Sequence, residues 1–338
     1  MQRFITRRLA LTLLVLWGTA TIAFVLARVV PSDPAARWVG PRATLEQVEQ
    51  ARKELGLDQP LYVQYYRYMR GLLRGDWGVS IRTHQPVIQD MLGHLPASLE
   101  LVLASMILAL LVGIPLGVAS AIKKDRAVDH LGRVLSIGAV SLPPFWLAMI
   151  LQLVFFKWLG LLPLGRRLET AVRLAHPLRE ITGLYSLDAL VTGNWPVLWD
   201  SLLHLALPAV TLASYTIGVV TRMTRSSLLE VLNEDYIRAA RSYGLPERVV
   251  VLRYALKNAI APTVTVLALC LAYSLVGTFV IEAVFAWPGL GYYMAQSVIA
   301  VDYTAIIGCT VLVAAAYALL NLGVDIVHAL LDPRISLG

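Results

Sequence analysis

The chain has 338 residues, 57% of them hydrophobic and only 15% charged, which excludes an ordinary soluble globular domain. Its formal net charge of +7 does not point to nucleic acid. The basic residues collect between apolar stretches, and no basic–aromatic cluster or nucleic-acid motif accompanies them.

Six apolar stretches, at 9–30, 101–122, 134–156, 201–220, 259–281 and 303–324, are long enough to cross a bilayer, which takes roughly 20 residues of helix. Apart from Arg28, none contains Asp, Glu, Lys or Arg. Backbone in lipid must satisfy its own hydrogen bonds, and runs this long and this continuously apolar do so as helices. The fold class is therefore an all-α membrane protein of six transmembrane helices.

In chain order, Arg3, Arg7 and Arg8 precede the first stretch. That stretch is too long for a usual signal-peptide core and lacks a small-x-small cleavage site, so it reads as an uncleaved anchor. Residues 31–96 form an insertion outside the membrane. The spacing within it predicts an amphipathic helix over 44–55, ended by Gly56-Leu-Asp-Gln-Pro60. Tyr62, Tyr65, Tyr66 and Tyr68 suit an aromatic layer at the membrane surface, and Gly75-Asp-Trp-Gly-Val-Ser80 reads as a turn-rich link.

Lys123, Lys124, Arg126 and Arg133 separate the second and third stretches, and Arg166 and Arg167 lie between the third and fourth. His204 falls inside the fourth, where an interhelical hydrogen bond would satisfy it. The connection 222–258 is basic, whereas 282–302 has no Lys or Arg. This asymmetry puts both termini and 222–258 on the cytoplasmic side and 31–96 outside. Long loops cross largely regardless of charge, which accommodates Arg166 and Arg167.

Prolines recur within the stretches at Pro115, Pro143, Pro144, Pro208 and Pro262. Each removes a helix hydrogen bond, so Pro143 and Pro144 read either as a gate or hinge or as tolerated residues. Cys270 and Cys309 lack Cys-x-x-Cys spacing and read as packing residues. The expected parts are 1–30, cytoplasmic N-terminus and first span; 31–96, external insertion; 97–330, five-helix core including 222–258; and 331–338, cytoplasmic tail.

The polar segment Asn233-Glu-Asp-Tyr-Ile-Arg-Ala-Ala-Arg-Ser-Tyr-Gly-Leu-Pro-Glu247 reads as helix, stop, helix. Ser227 and Glu230 have capping-box spacing and predict a helix start there. Gly244 suits a left-handed terminator, and Pro246 and Glu247 suit a new first turn. Ala239, Ala240 and Gly244 present small residues beside Arg238 and Arg241, a face suited to a groove on another protein. Arg222 and Arg225, just before it, suit an ATPase contact or a gate, or else simple topology anchoring.

This segment resembles the coupling loop of ATP-binding-cassette import permeases, whose pattern is Glu-Ala-Ala, three residues, Gly. The chain departs from it at Arg238, where that pattern has Glu. The form Glu234-Asp-Tyr-Ile-Arg-x-Ala-Arg-x-x-Gly244-Leu is similar to the dipeptide/oligopeptide (peptide/nickel) branch. So are Pro31-Ser-Asp-Pro34, Glu54-Leu-Gly-Leu-Asp58, Gly75-Asp-x-Gly-x-Ser80, Arg222-Met-Thr-Arg-Ser-Ser227 and Trp287-Pro-Gly-Leu-Gly291, in that order. The resemblance implies a type I importer permease that carries dipeptides or short oligopeptides. Nickel, metallophore or glutathione cargo is the alternative within the class. It further implies coupling through Glu234, Asp235, Tyr236, Arg238, Ala239, Ala240, Arg241 and Gly244. The implied partners are a second related permease, two ATPase subunits, an extracytoplasmic solute-binding protein and membrane lipid, in a bacterial or archaeal plasma membrane. Glu282, Trp287, Tyr292 and Tyr293 are candidates to meet the solute-binding protein, or else interfacial anchors.

Catalytic signatures are missing. No Gly-x-x-x-x-Gly-Lys-Ser/Thr loop holds ATP, so ATP and Mg belong on partner subunits. No His-Glu-x-x-His or Gly-x-Ser-x-Gly supports a hydrolase. Glu100, Glu282 and Asp325 lie at span ends, so a proton-coupled secondary carrier lacks its usual residues, although a carrier or channel without an ATPase stays open.

Overall fold

The computed structural model describes residues 2–29, 33–40 and 42–331. Pro31 and Ser32 of the first landmark, and 332–338 of the expected tail, lie outside the described residues. Those residues are almost entirely helical, and the β contact among them is an isolated bridge between Val79 and Pro86. Among the described residues, five helices are long and apolar enough to cross a bilayer: Thr6–Arg28, Val87–Ile122, Trp195–Val231, Glu247–Val284 and Tyr303–Gly323. A sixth crossing is made only if two helices, Ala127–Ser141 and Pro144–Trp158, are counted as one span bent by 109°.

The bend corrects the expectation of a continuous third span. Leu142 precedes a proline and is driven out of the α region, to φ −81° and ψ 131°; Pro143 follows at ψ 130°. Neither proline has an amide hydrogen to continue the ladder. Pro208 and Pro262 do not interrupt their helices, and Pro115 sits just after a π turn at Ala109–Gly113 that reopens the hydrogen-bond ladder. Paired prolines break the chain here where single ones do not.

The chain divides into two compact units, 1–96 with 288–338, and 97–287. The last long helix therefore groups with the first rather than with the helices of 97–287. In the first unit, Thr44 caps the helix Leu45–Glu54 in a full capping box with Gln47, and Gly56 follows at φ +64°. The tyrosines lie on a further helix, Leu61–Arg74. Tyr65 and Tyr68 pack against Phe24 of the first span, with ring centroids 5.4 Å apart in both pairs. Tyr62 and Tyr66 are exposed, so half of the expected aromatic layer is spent within the protein. Asp302 is buried and accepts from Ser80 Oγ at 2.5 Å and from the amides of Arg82 and Ala305 at 3.1 Å. The connection between the last two spans also holds a helix, Leu290–Ala300, whose Tyr293 is fully buried beside Val87 and Met91.

In the second unit, Trp195–Val231 is the helix the others pack around. Small residues allow close approach on both its sides. A Cβ on Gly117 would lie 2.8 Å from Thr221 O, and one on Gly218 would lie 2.7 Å from Ser136 O. Its hydroxyls bridge to neighbours, Thr221 donating to Gly113 O at 3.2 Å and Thr224 meeting Thr263 at 3.2 Å. His204 instead bonds within its own helix: Nδ1–H donates to Asp200 O at 2.9 Å.

Buried charge ties the loop 157–200 to this unit. Arg167 donates to Glu100 Oε2 through Nε at 3.1 Å and also through an NH2 group, and the same side chain donates to Gly183 O at 2.8 Å. Glu100 also accepts from the Ser186 amide and hydroxyl at 2.7 and 2.6 Å. Burial pushes the Asp188 carboxyl up, but hydrogen bonds from the Thr182 hydroxyl and the amides of Thr182, Ile181 and Gly183 outweigh it. The group lies below the ordinary carboxylate range.

Candidate coupling segment

The polar segment folds as helix Asp235–Ser242, a left-handed stop, and helix from Glu247 onward. Its start is not at Ser227, which lies buried inside Trp195–Val231. The apolar spacing there outweighs the capping-box pattern, and the chain turns only at Leu232–Glu234. Glu234 is the N-cap residue in extended conformation, without a side-chain cap. Asp235 in the first turn and Arg241 in the last complement the helix dipole. Gly244 takes φ +73°, as expected of a terminator, and the Leu245 amide closes back on Ala240 O at 3.4 Å.

Ile237 and Ala240, three residues apart, share a face. That face is buried against Leu228, Val250, Val251, Ala255 and Ala259 of the same chain. Burying Ile237 contributes about 1.5–3 kcal/mol. The exposed ion pairs Arg238–Asp235 and Arg241–Glu247, the latter at 2.8 Å, contribute about 0–1 kcal/mol each. Apolar packing therefore seats the helix, and the charges trim it. Tyr236 adds a tether, its hydroxyl accepting from Asn258 Nδ2 at 2.8 Å. The hydrogen bond with Glu247 raises the pKa of Arg241 above the ordinary guanidinium value.

The outward face carries Asp235, Tyr236, Arg238, Ala239, Ser242 and Tyr243. Tyr243 is 86% exposed. Ala240 is thus not part of an outward small-residue face, as its neighbours in sequence suggest; only Ala239 of the pair looks outward. The reason is Ile237: the one large apolar side chain in the helix sets which side turns inward, and Ala240 follows it. Arg238 and Arg241 already hold internal partners rather than standing free for acidic groups elsewhere.

Arg225 is placed differently from a free gate or docking residue. Its guanidinium grips Asp129 through Nε at 2.6 Å and NH2 at 2.8 Å, and Asp129 is fully buried at the start of Ala127–Ser141. Arg222 is exposed. Asp129 was missed in sequence; its signal was a carboxylate within the basic run 123–133. Pro143 and Pro144 lie at the 109° bend and are not part of the coupling surface.

Glu282 and Trp287 are not surface residues. Glu282 is fully buried and accepts from Ser98 Oγ at 2.6 Å; Trp287 is 1% exposed and donates to Ala97 O at 2.8 Å. With Tyr293 also buried, these side chains are internal struts and not a docking face for a delivery protein.

Residues 113–337 match the family model described as binding-protein-dependent transport system inner membrane component, and 1–104 match its N-terminal companion. Among curated proteins, the chain is 47% identical over 325 residues to the probable D,D-dipeptide transport system permease protein DdpB of Escherichia coli (strain K12). That match covers 96% of this chain and 95% of that protein. It is 38% identical to the dipeptide transport system permease protein DppB of the same strain, covering 99% of each. It is 35% identical to the glutathione transport system permease protein GsiC of Salmonella typhimurium (strain LT2), again covering 99% of each.

Proposed function

The chain belongs to the family of binding-protein-dependent transport system inner membrane components, and from that premise we propose that its cargo is dipeptides or short oligopeptides. It is a multi-pass membrane protein and the permease subunit of an ATP-binding-cassette importer. The complete machine in this reading adds a second related permease, two ATPase subunits that bind ATP and Mg, and an extracytoplasmic solute-binding protein. It sits in a bacterial or archaeal plasma membrane with both termini cytoplasmic.

The observation that carries the coupling role is a short helix, Asp235–Ser242, anchored to its own chain on one face and bare on the other. Such a helix transmits a push because its seat is rigid: ATPase closure displaces it, and residues 250–259 beneath it, the first part of the span Glu247–Val284, carry the motion along that span. The bend at Pro143 and Pro144 supplies a hinge for the same motion. The relatives named for dipeptides support peptide cargo.

Cysteines placed singly at Ala239 and Tyr243 are expected to cross-link to an ATPase subunit in the assembled complex, whereas one at Ala240 is not. Cross-linking at none of the outward positions would remove the coupling role from this helix.

Gly244 gives a second test. A Cβ there meets nothing within 4 Å, so the penalty of a side chain is backbone strain alone, about 1–2 kcal/mol for an ordinary residue. Gly244→Val is expected to reduce substrate-stimulated ATPase of the complex roughly 5–30-fold while membrane insertion persists. Gly244→Asn, which tolerates the left-handed region, retains most of it. Equal activities in the two variants would show that the left-handed stop is not what coupling requires.

A further inference from the structure

A cavity of about 600 Å³ lies within the unit 97–287, bordered by residues 160–166 and 168–170, Phe156, His204 and 284–286. Its size falls in the usual range for small-ligand sites, ~300–1,000 Å³. Its frame is built by hydrogen bonds. Gln152 Nε2 donates to Leu164 O at 3.1 Å and Val284 O at 3.4 Å, and the Arg166 amide donates to Phe285 O at 3.0 Å. The Glu169 amide donates to Asp200 Oδ2 at 2.7 Å. The two walls approach so closely at Gly165 that a Cβ would lie 2.0 Å from Phe285 O.

Two non-glycine residues on these walls hold positive φ, Arg166 at +67° and Ala286 at +48°. Strain of this kind costs about 1–3 kcal/mol per residue, persists only where the surroundings enforce it, and clusters at binding sites. Here it turns consecutive arginines to different tasks: Arg167 is buried on Glu100, while Arg166 is exposed and borders the cavity. Glu169 is exposed on the same border, and among the described residues neither Arg166 nor Glu169 forms an ion pair. His204 gives its Nδ1–H to Asp200 O, which leaves Nε2 as an acceptor while the ring is neutral. Phe156 and Phe285 supply apolar wall.

An unpaired cation and an unpaired anion on one apolar-walled cavity match a small zwitterion. A free dipeptide carries an α-carboxylate and an α-ammonium whatever its side chains. We propose that this cavity is a dipeptide-binding site, with Arg166 taking the α-carboxylate and Glu169 the α-ammonium. The proposal rests on the peptide reading above and deepens it. Recognition by the two termini explains how one site accepts cargo of varied side chains.

The test uses Thr170→Cys, an exposed position on the cavity border, in the complete complex; Cys270 and Cys309 are buried. The rate of alkylation by a maleimide is measured with alanyl-alanine, its C-terminal amide and its N-acetyl derivative. Alanyl-alanine is expected to slow labelling, and each blocked derivative to require about tenfold more, the equivalent of ~1.4 kcal/mol for one charged contact. Arg166→Gln should erase the discrimination against the amide only, and Glu169→Gln that against the acetyl compound only. No protection by alanyl-alanine at its solubility limit, or equal protection by all three compounds, overturns the site. Uptake of labelled alanyl-alanine by the wild-type complex is followed in parallel. Uptake without protection overturns the site and leaves the peptide reading standing; terminus-dependent protection without uptake supports the site and overturns that reading.

Discussion

Arg167→Met is expected to lower the thermal stability of the purified protein sharply, and the double variant Arg167→Met, Glu100→Gln to recover most of the loss. Glu100 is 5% exposed on the helix Val87–Ile122, and its carboxylate depends on Arg167 for its only charged partner among the described residues. Removing that partner leaves a buried charge held by the neutral Ser186 amide and hydroxyl alone, a change that typically costs about 3–5 kcal/mol. Replacing both charges by neutral groups of similar volume is often close to neutral, since the desolvation penalty disappears with the attraction. Arg167 also stacks 3.7 Å over the ring of Tyr185, and the methionine stem keeps part of that contact. Heat-induced unfolding followed by tryptophan fluorescence orders the three proteins. A double variant no better than the single one would mean that Arg167 matters for its stacking and its bond to Gly183, not for neutralising Glu100.

Ala240→Trp is expected to abolish ATP-driven uptake because it unseats a helix from its own chain, not because it clashes with a partner. Ala240 is 7% exposed inside the cluster with Ile237, Leu228 and Val250. Overfilling such a site costs about 1–3 kcal/mol or more, comparable to the ~1.5–3 kcal/mol that Ile237 contributes. A helix of eight residues has no stability of its own to fall back on. Ala239→Trp, one residue earlier and facing outward, should keep the helix seated and lose only the captured ATPase. Trypsin separates the two cases, since Arg238 and Arg241 lie on the helix. The isolated Ala240→Trp chain is expected to be cut there rapidly, the Ala239→Trp chain at the wild-type rate. Wild-type cleavage together with wild-type uptake in Ala240→Trp would refute the inward placement of this face.

These expectations draw on different depths of legibility. The stop at Gly244 was readable because a left-handed terminator and a following proline act on the nearest backbone; the start at Asp235 was not, since the capping-box spacing at Ser227 lies inside the preceding long helix. Nor was the direction in which the helix faces. Ala239 and Ala240 read alike in sequence, as one small face beside Arg238 and Arg241, and only the burial of Ile237 against Val250, Val251 and Ala255 separates them. Arg225 was legible as a cation where a span ends, but its role depends on Asp129, 96 residues away. The cavity residues Arg166 and Glu169 carried no motif; what marks them is a backbone geometry visible only once 164–166 meets 284–286.

The amino-acid sequence by itself determined the membrane class, the approximate spans, the peptide-importer resemblance and the local stops at Gly56 and Gly244. Each of these is governed by composition over a bilayer's length or by steric limits within a few residues. Tertiary structure decided that the third span breaks by 109° and that Glu282, Trp287 and Tyr293 are internal. It also decided which arginines are paired and which border a cavity. In lipid a polar group is acceptable only with a partner, and the partners here lie as far as 67 residues away for Glu100 and Arg167, and 184 for Ser98 and Glu282. Periodicity places a side chain on a face of its own helix; what that face meets is set by the packing of helices distant in sequence.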